Sequence, residues 1–189
     1  MHVLRFVDIA LFLAWMAVDR IIVFGRRGPG GRASRDRSLL VVALTSWGGI
    51  LLAVALALAG LGVPPQAWVV PVQVAGLVAL AAGIALRSAA IAQLGPFHTP
   101  RLAIQPGHRL VERGLYRRIR HPSYLGSAIA HLGFGLALGS WLSALAAGGM
   151  AVAGYLHRMD VEERMLLEGL GDEYAAYRRR THRLIPGIY

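Results

Sequence analysis

Apolar residues in this chain are gathered into long stretches that short polar segments separate. Five such stretches stand out, at about residues 3–24, 38–60, 68–94, 122–139 and 141–157. The first three approach the ~20 residues that a helix needs to cross the hydrocarbon core of a bilayer. The last two are shorter, and the segment LGSWL between them is compact enough for a tight hairpin. The pattern predicts an all-α, polytopic membrane protein with about five transmembrane helices.

Composition supports this class. The chain is 56% hydrophobic and only 16% charged, whereas about a quarter of the residues of a soluble domain are charged. Cysteine is absent, which excludes disulfides, thiolate metal sites and cysteine nucleophiles. The first stretch is not expected to be a cleaved signal peptide, because it is followed by an Arg-rich loop and lacks a small-residue cleavage site.

The positive charge of the chain is unevenly placed. Five Arg lie in residues 25–37, six in 95–120 and six after residue 157, while 60–67 contains none. Since Arg excess marks cytoplasmic loops, we predict that these three regions are cytoplasmic and the N-terminus is outside. The net charge of +10 is therefore read as a topology signal and not as a nucleic-acid surface. Arginines of GRRGPGG are expected to contact anionic membrane lipids.

The residue composition indicates the kind of genome that encodes the chain. All 20 basic residues are Arg, and neither Lys nor Asn occurs. With the excess of Ala, Gly and Leu, this predicts a GC-rich bacterial genome, and hence an inner (cytoplasmic) membrane. The glycines are assigned to packing: Gly135 and Gly139 are spaced as a small-xxx-small pair, which lets helix backbones approach closely in lipid.

The polar segment before the fourth stretch concentrates groups that can hold a polar ligand. It reads GHRLVERGLYRRIRHPSY, residues 107–124. Pro122 suits the first turn of a helix, whose unpaired N–H groups would favour an anion. The alternative is a positively charged loop followed by a helix-starting proline, with no ligand at all. No metal site is predicted, because the His residues lack ligand-like pairing and an acidic cluster.

The segment after the fifth stretch, HRMDVEERMLLEGLGDEYAAY, is predicted to continue as an amphipathic helix that breaks near Gly171. Arg158 and Glu162 are four apart and share a helix face. They could form a surface ion pair that contributes little to stability. Because they lie where the apolar span ends, the alternative is that they form part of a functional site. Glu163, Arg164 and Glu168 are predicted to be solvated charges.

These segments resemble the isoprenylcysteine carboxyl methyltransferase family over about residues 95–189. The resemblance rests on GHRLVERGLYRRIRHPSYLG, RMDVEE and GDEYAAYRRRTHRLIP in this order. It implies an enzyme that uses S-adenosylmethionine, with Arg158 facing the acceptor and Glu162 contacting the cofactor as the catalytic pair. The implied cofactor-binding residues are His108, Arg109, Leu110, Val111, Tyr116, His121, Pro122, Ser123, Tyr124 and Glu162. Residues 1–94 are predicted to form three transmembrane helices and residues 95–189 the methyltransferase core.

The resemblance also implies where the reaction occurs and leaves the acceptor open. A water-borne cofactor and a lipophilic or lipidated acceptor must meet at the cytoplasmic membrane face, with the chain expected to act as a monomer. An ionised carboxylate acceptor needs no general base, and Arg158 could orient it through two hydrogen bonds. A lipid amine or a thiol are alternatives, and for an amine Glu162 could serve as base. Two alternatives come from other functional classes. One is an NADPH-dependent sterol-type reductase, which has a similar tyrosine and RHP-x-Y stretch, and the other is a non-enzymatic scaffold.

Overall fold

The computed structural model describes Phe12, Met16 and residues 37–98 and 110–187. Within the two ranges, five α-helices follow one another: α1 Ser38–Leu58, α2 Gln66–Leu94, α3 Pro122–Ala137, α4 Trp141–Leu170 and α5 Asp172–Arg180. Short 3-10 turns lie at Gly95–Phe97 and Gly114–Arg117. The described residues contain no β-strand, only an isolated bridge between Ile119 and His182. The prediction of an all-α fold is confirmed.

Local sequence signals explain where the helices of the hairpin begin. Pro122 is the first residue of α3, where its missing N–H costs no hydrogen bond. Ser140 caps α4, because its hydroxyl accepts a hydrogen bond from the Ser143 amide at 3.1 Å. Helix α4 continues well past the predicted end of the apolar span, and Gly171, at φ +55°, separates it from α5. The predicted break near Gly171 is confirmed.

Helices α1 and α2 have the length and composition to cross a membrane. Only 22% of the apolar window of α1 and 28% of that in Gln66–Phe97 is buried. A core helix of a soluble protein would be mostly buried, so the exposed apolar surface of these two helices is suited to contact with lipid. Leu51 and Val78 are 67% and 64% exposed. The first predicted span, residues 3–24, lies outside the described residues except for Phe12 and Met16, both helical and buried.

Close backbone contacts hold the helices together. Helix α2 packs along α3, α1 along α4, and α3 against α4. A Cβ on Gly83 of α2 would lie 2.5 Å from the Ala130 amide nitrogen, and one on Gly135 would collide with the backbone of Ala144. Gly135 therefore has the packing role predicted for it. Gly139 differs: it lies beyond the end of α3 at φ +79°, a backbone conformation that only glycine adopts at little cost.

Candidate active site

The antiparallel α3–α4 hairpin brings the start of α3 beside the second half of α4. Tyr124, in the first turn of α3, stacks on Tyr155 of α4 with ring centroids 5.4 Å apart. Its other neighbour is the imidazole of His121, at 5.5 Å between centroids. His121 occupies the position before the helix, and its side chain makes no capping hydrogen bond there. The start of α3 thus places both rings next to the segment of α4 that carries Arg158 and Glu162.

A hydrogen-bonded chain joins Arg158 to Glu162 through Tyr124. The Tyr124 hydroxyl donates to Glu162 Oε2 at 2.8 Å and accepts from Arg158 Nε at 3.0 Å. The second branch of the guanidinium, Nη1, donates to the hydroxyl of Ser38 at 3.0 Å. Arg158 is only 5% exposed, and a buried cation requires such partners. The pair is therefore part of a buried network and not a surface ion pair.

Tyr116 and Ser123 extend the polar surface at this end of the bundle. The Tyr116 hydroxyl is buried and makes no hydrogen bond of normal geometry within the described part of the chain. Burial, together with the nearby charge of Glu162, raises the pKa of Tyr116, and the Ser123 side chain lies beside it. The hydroxyl is therefore a neutral donor. Arg87 of α2 approaches from the other side and donates to Ser127 Oγ at 3.0 Å.

The C-terminal half of α4 contains a buried carboxylate, and here one prediction is wrong. Glu163, expected to be a solvated charge, is 5% exposed. Its Oε1 lies 3.0 Å from both Arg120 Nε and His121 Nε2. Burial alone would raise its pKa, but hydrogen bonds from His121 and Arg120 lower the pKa of Glu163 to about 2. Arg164 and Glu168 are exposed, as predicted.

Residues 181–183, which follow α5, are hydrogen-bonded to the segment before α3. The amides of Arg120 and His121 donate to the carbonyls of His182 and Arg183, at 2.8 and 3.2 Å. The Arg120 guanidinium also donates to the carbonyl of Thr181. Nearer the site, the Tyr177 hydroxyl of α5 donates to the Tyr116 carbonyl at 2.7 Å. Helix α5 and the tail therefore fix the backbone that carries Tyr116 and His121.

Leu110 and Val111 line a cavity of about 480 Å³ between their own segment and the end of α2. The other lining residues include Gln93, Phe97 and Arg113. A volume of this size suits a small-molecule ligand. The 3-10 turn that follows holds Tyr116, so the cavity and the polar network are neighbours along the chain. Gln93 Oε1 accepts from the Leu115 amide at 2.8 Å and ties this turn to α2.

The structure therefore gathers most of the predicted site residues, with two exceptions. Tyr124, Arg158 and Glu162 form one hydrogen-bonded chain, Tyr116 and Ser123 lie beside it, His121 and Pro122 border it, and Leu110 and Val111 lie at the cavity. The predicted His108 and Arg109 lie outside the described residues. Sequence reasoning missed Ser38 and Glu163. Glu163 could have been suspected because it directly follows Glu162. Nothing in the sequence distinguishes Ser38, a single serine before an apolar stretch.

The donor set fits a ligand that bears positive charge as well as hydrogen-bonding groups. Glu162 supplies a carboxylate, Tyr116 a buried hydroxyl without a regular partner among the described residues, and Arg158 a cation that could bind an anion on the other side of Tyr124. Within the described ranges, no group of three His, Asp or Glu side chains could hold a metal ion. The arrangement can thus align two oppositely charged groups at the end of an apolar helix bundle.

Comparison with known proteins gives the same family throughout. The model of the isoprenylcysteine carboxyl methyltransferase (ICMT) family matches residues 74–168. The protein-S-isoprenylcysteine O-methyltransferase of Schizosaccharomyces pombe is 35% identical over 118 residues, 61% of this chain and 50% of that protein. The probable enzyme of this name from Oryza sativa subsp. indica is 31% identical over 115 residues, 60% of either chain.

A solved structure has the same fold. The structure of the eukaryotic intramembrane Ras methyltransferase ICMT superimposes with a TM-score of 0.61 at 22% identity, over 98% of this chain and 68% of that one. At this identity, the likeness extends to the fold alone. The matched region spans only 50% and 60% of the two relatives above.

Proposed function

Since the chain belongs to the isoprenylcysteine carboxyl methyltransferase family, we propose that it is an integral-membrane methyltransferase that uses S-adenosylmethionine to esterify the carboxylate of a lipophilic, isoprenylcysteine-like acceptor. The observation that best supports this is the hydrogen-bonded chain from Glu162 through Tyr124 to Arg158. It sets a carboxylate and a guanidinium on either side of one hydroxyl. A cationic methyl donor and an anionic acceptor require this pairing of charges.

Glu162, Tyr124 and Tyr116 would hold the cofactor, together with His121 and the backbone at Leu110 and Val111. When bound, S-adenosylmethionine would supply an electrophilic methyl group on a sulfonium for transfer to the acceptor oxygen. Glu162 supplies the negative charge that favours a cationic ligand. The buried Tyr116 hydroxyl supplies a donor that the described residues leave without a regular partner. These groups therefore suit the cofactor in charge and in hydrogen bonding.

Arg158 would bind and orient the acceptor carboxylate. Its Nε and Nη1 are directed to Tyr124 and Ser38, and these contacts hold the guanidinium plane in place. An oriented guanidinium aligns a carboxylate by two parallel hydrogen bonds. The burial of Arg158 and of the rings around it excludes water, which strengthens each of these electrostatic contacts. Because an ionised carboxylate is already a nucleophile, Glu162 is free to bind the cofactor and need not act as a base.

The proposal includes a location. The reaction would take place at the cytoplasmic face of a bacterial inner membrane, with about five transmembrane helices, residues 1–94 as the N-terminal helices and 95–189 as the core. The Arg-rich regions support this orientation. The chain has no native cysteine, so single cysteines can report it. Val63→Cys should react with an impermeant maleimide in intact cells, and the exposed Arg179→Cys only after lysis; labelling of Arg179→Cys from outside would overturn this orientation.

The direct test is methyl transfer from radiolabelled S-adenosylmethionine by the purified protein in detergent. Acceptors should include a prenylcysteine analogue, its methyl ester as the matched blocked control, phosphatidylethanolamine and a short thiol. We expect label in the prenylcysteine product, released as methanol by mild base, and none with the blocked control. Base-stable label in the phospholipid or thiol would replace the carboxylate proposal by N- or S-methylation. Stabilisation of the protein by NADPH and not by S-adenosylmethionine would contradict methyl transfer altogether.

A further inference from the structure

Glu163 contacts His121, whose ring lies beside Tyr124 at the proposed cofactor site. Its Oε1 is 3.0 Å from His121 Nε2. A carboxylate only accepts hydrogen bonds, so Nε2 of His121 must carry the proton of this contact. His121 is itself 4% exposed, and its ring has little freedom to turn. The described residues give the other ring nitrogen, Nδ1, no hydrogen bond.

Glu163 is itself held in place by neighbouring cations. Three guanidinium groups lie close to this one carboxylate: Arg120 at 3.0 Å, Arg183 at 3.4 Å and Arg178 at 3.6 Å. They already compensate its negative charge. The carboxylate is therefore held in place, and with it the ring nitrogen of His121 that donates to it.

We infer that Glu163 is a positioning residue of the cofactor site: it accepts the hydrogen bond of His121 Nε2–H, holds the ring in one orientation and so leaves Nδ1 as the ring nitrogen available to the cofactor. This inference rests on the proposed function, which gives His121 its ligand. S-adenosylmethionine offers hydrogen-bonding groups for this nitrogen in its ammonium group, its adenine and its ribose hydroxyls. In metal sites, a carboxylate fixes the orientation of a ligand histidine in the same way.

The hydrogen bond from His121 to Glu163 can be tested without any cofactor. Imidazole nitrogen shifts of the 15N-histidine-labelled protein, with the His121→Asn variant to assign the signals, report whether Nε2 carries a proton. We expect a proton on Nε2 of His121. An unprotonated Nε2 would overturn the inference, whatever the variants do.

The role in binding is tested by calorimetry of S-adenosylmethionine with full-length variants, after gel filtration and thermal unfolding confirm that they fold. Glu163→Gln should weaken binding about tenfold, the typical effect of losing a charge-assisted contact. In the His121→Asn background the same change should cost less than about twofold, because the two residues act through one contact. At saturating cofactor, the Glu163→Gln enzyme should turn over at nearly the wild-type rate, with only KM for the cofactor raised.

Asp160→Asn is the matched control, since Asp160 also pairs with Arg183 of the tail but is 56% exposed in its side chain and is not in contact with His121. It should bind the cofactor like the wild type. Wild-type affinity in Glu163→Gln, or equal losses in both backgrounds, would overturn this inference alone. A folded wild-type protein that does not bind S-adenosylmethionine would overturn the proposed function and this inference together.

Discussion

The hydroxyl of Tyr124 donates a hydrogen bond to the carboxylate of Glu162, with 2.8 Å between the two oxygens. Because the same hydroxyl accepts from Arg158, one tyrosine connects the residue proposed to bind the cofactor with the residue proposed to bind the acceptor. Each of these charged groups depends on Tyr124 for its orientation. The consequences can be measured separately.

Tyr124→Phe should weaken both cofactor binding and transfer, each by roughly tenfold, because two hydrogen bonds to charged groups are lost. The ring keeps its stacking on Tyr155 at 5.4 Å, so the fold should persist. Tyr174→Phe is the matched control, since the Tyr174 hydroxyl is buried and has no hydrogen-bond partner among the described residues. Calorimetry and the transfer assay should find that control unchanged. Full activity of Tyr124→Phe would mean that Glu162 and Arg158 do not depend on this hydroxyl.

Ser38→Ala should impair transfer and spare cofactor binding. Its hydroxyl accepts from Arg158 Nη1 at 3.0 Å, and without it the guanidinium loses the anchor on α1. We expect a severalfold rise in KM for the acceptor, in line with about 1 kcal/mol for one such hydrogen bond, and partial rescue by Ser38→Thr. Ser46→Ala, on the same helix, removes a buried hydroxyl that lacks a partner among the described residues and should be neutral. Loss of cofactor affinity in Ser38→Ala would contradict the assigned role.

Gly83→Ala should destabilise the bundle, because its Cβ would lie 2.5 Å from the Ala130 amide nitrogen and 2.6 Å from the Gly126 carbonyl oxygen. Backbone atoms cannot move aside easily, and overpacking of this kind costs about 1–3 kcal/mol. Gly149→Ala, on the exposed side of α4 with nothing within 4 Å, should be neutral or slightly stabilising. Thermal unfolding in detergent compares the two. Equal melting temperatures would show that α2 and α3 do not pack this closely.

Glu163 should make stability depend on pH in the acid range. Its folded-state pKa, about 2, lies below the ordinary value of 4.5, so its contribution is fully present above about pH 4.5 and is lost as the pH falls toward 2. Wild type should therefore melt above Glu163→Gln near neutral pH, and the gap should shrink below pH 4.5. Melting curves across this range provide the test. A gap that stays constant down to about pH 3 would rule out the ionised, paired Glu163 as its source.

Local signals made parts of the fold predictable. Pro122 marks the start of α3 because a proline at the first position of a helix acts within one helical turn. Arg158 and Glu162 could be paired from their spacing, since residues four apart share a helix face. Gly139 was misassigned because a spacing rule does not show that the helix has already ended.

Such local rules do not predict contacts between segments that are distant in the sequence. Ser38 and Arg158 are 120 positions apart, and nothing near either residue predicts that α1 packs along α4. Glu163 looked like one solvated charge among several. It is buried because the tail after α5 returns to cover it, bringing Arg183 to its carboxylate, and the direction of that return depends on the turn at Gly171.

The most direct test of the proposed site compares Glu162→Gln with Arg158→Ala in one experiment. Calorimetric affinity for S-adenosylmethionine and the rate of methyl transfer to a prenylcysteine analogue are measured for each variant, with gel filtration as the check on folding. Glu162→Gln should lose at least about tenfold in cofactor affinity, and Arg158→Ala should keep that affinity but lose at least about tenfold in transfer. Arg158→Lys should restore little, because a point charge cannot reproduce the planar fork. Loss of cofactor binding in Arg158→Ala with wild-type behaviour of Glu162→Gln would contradict the assignment, and full activity of both would place the site elsewhere.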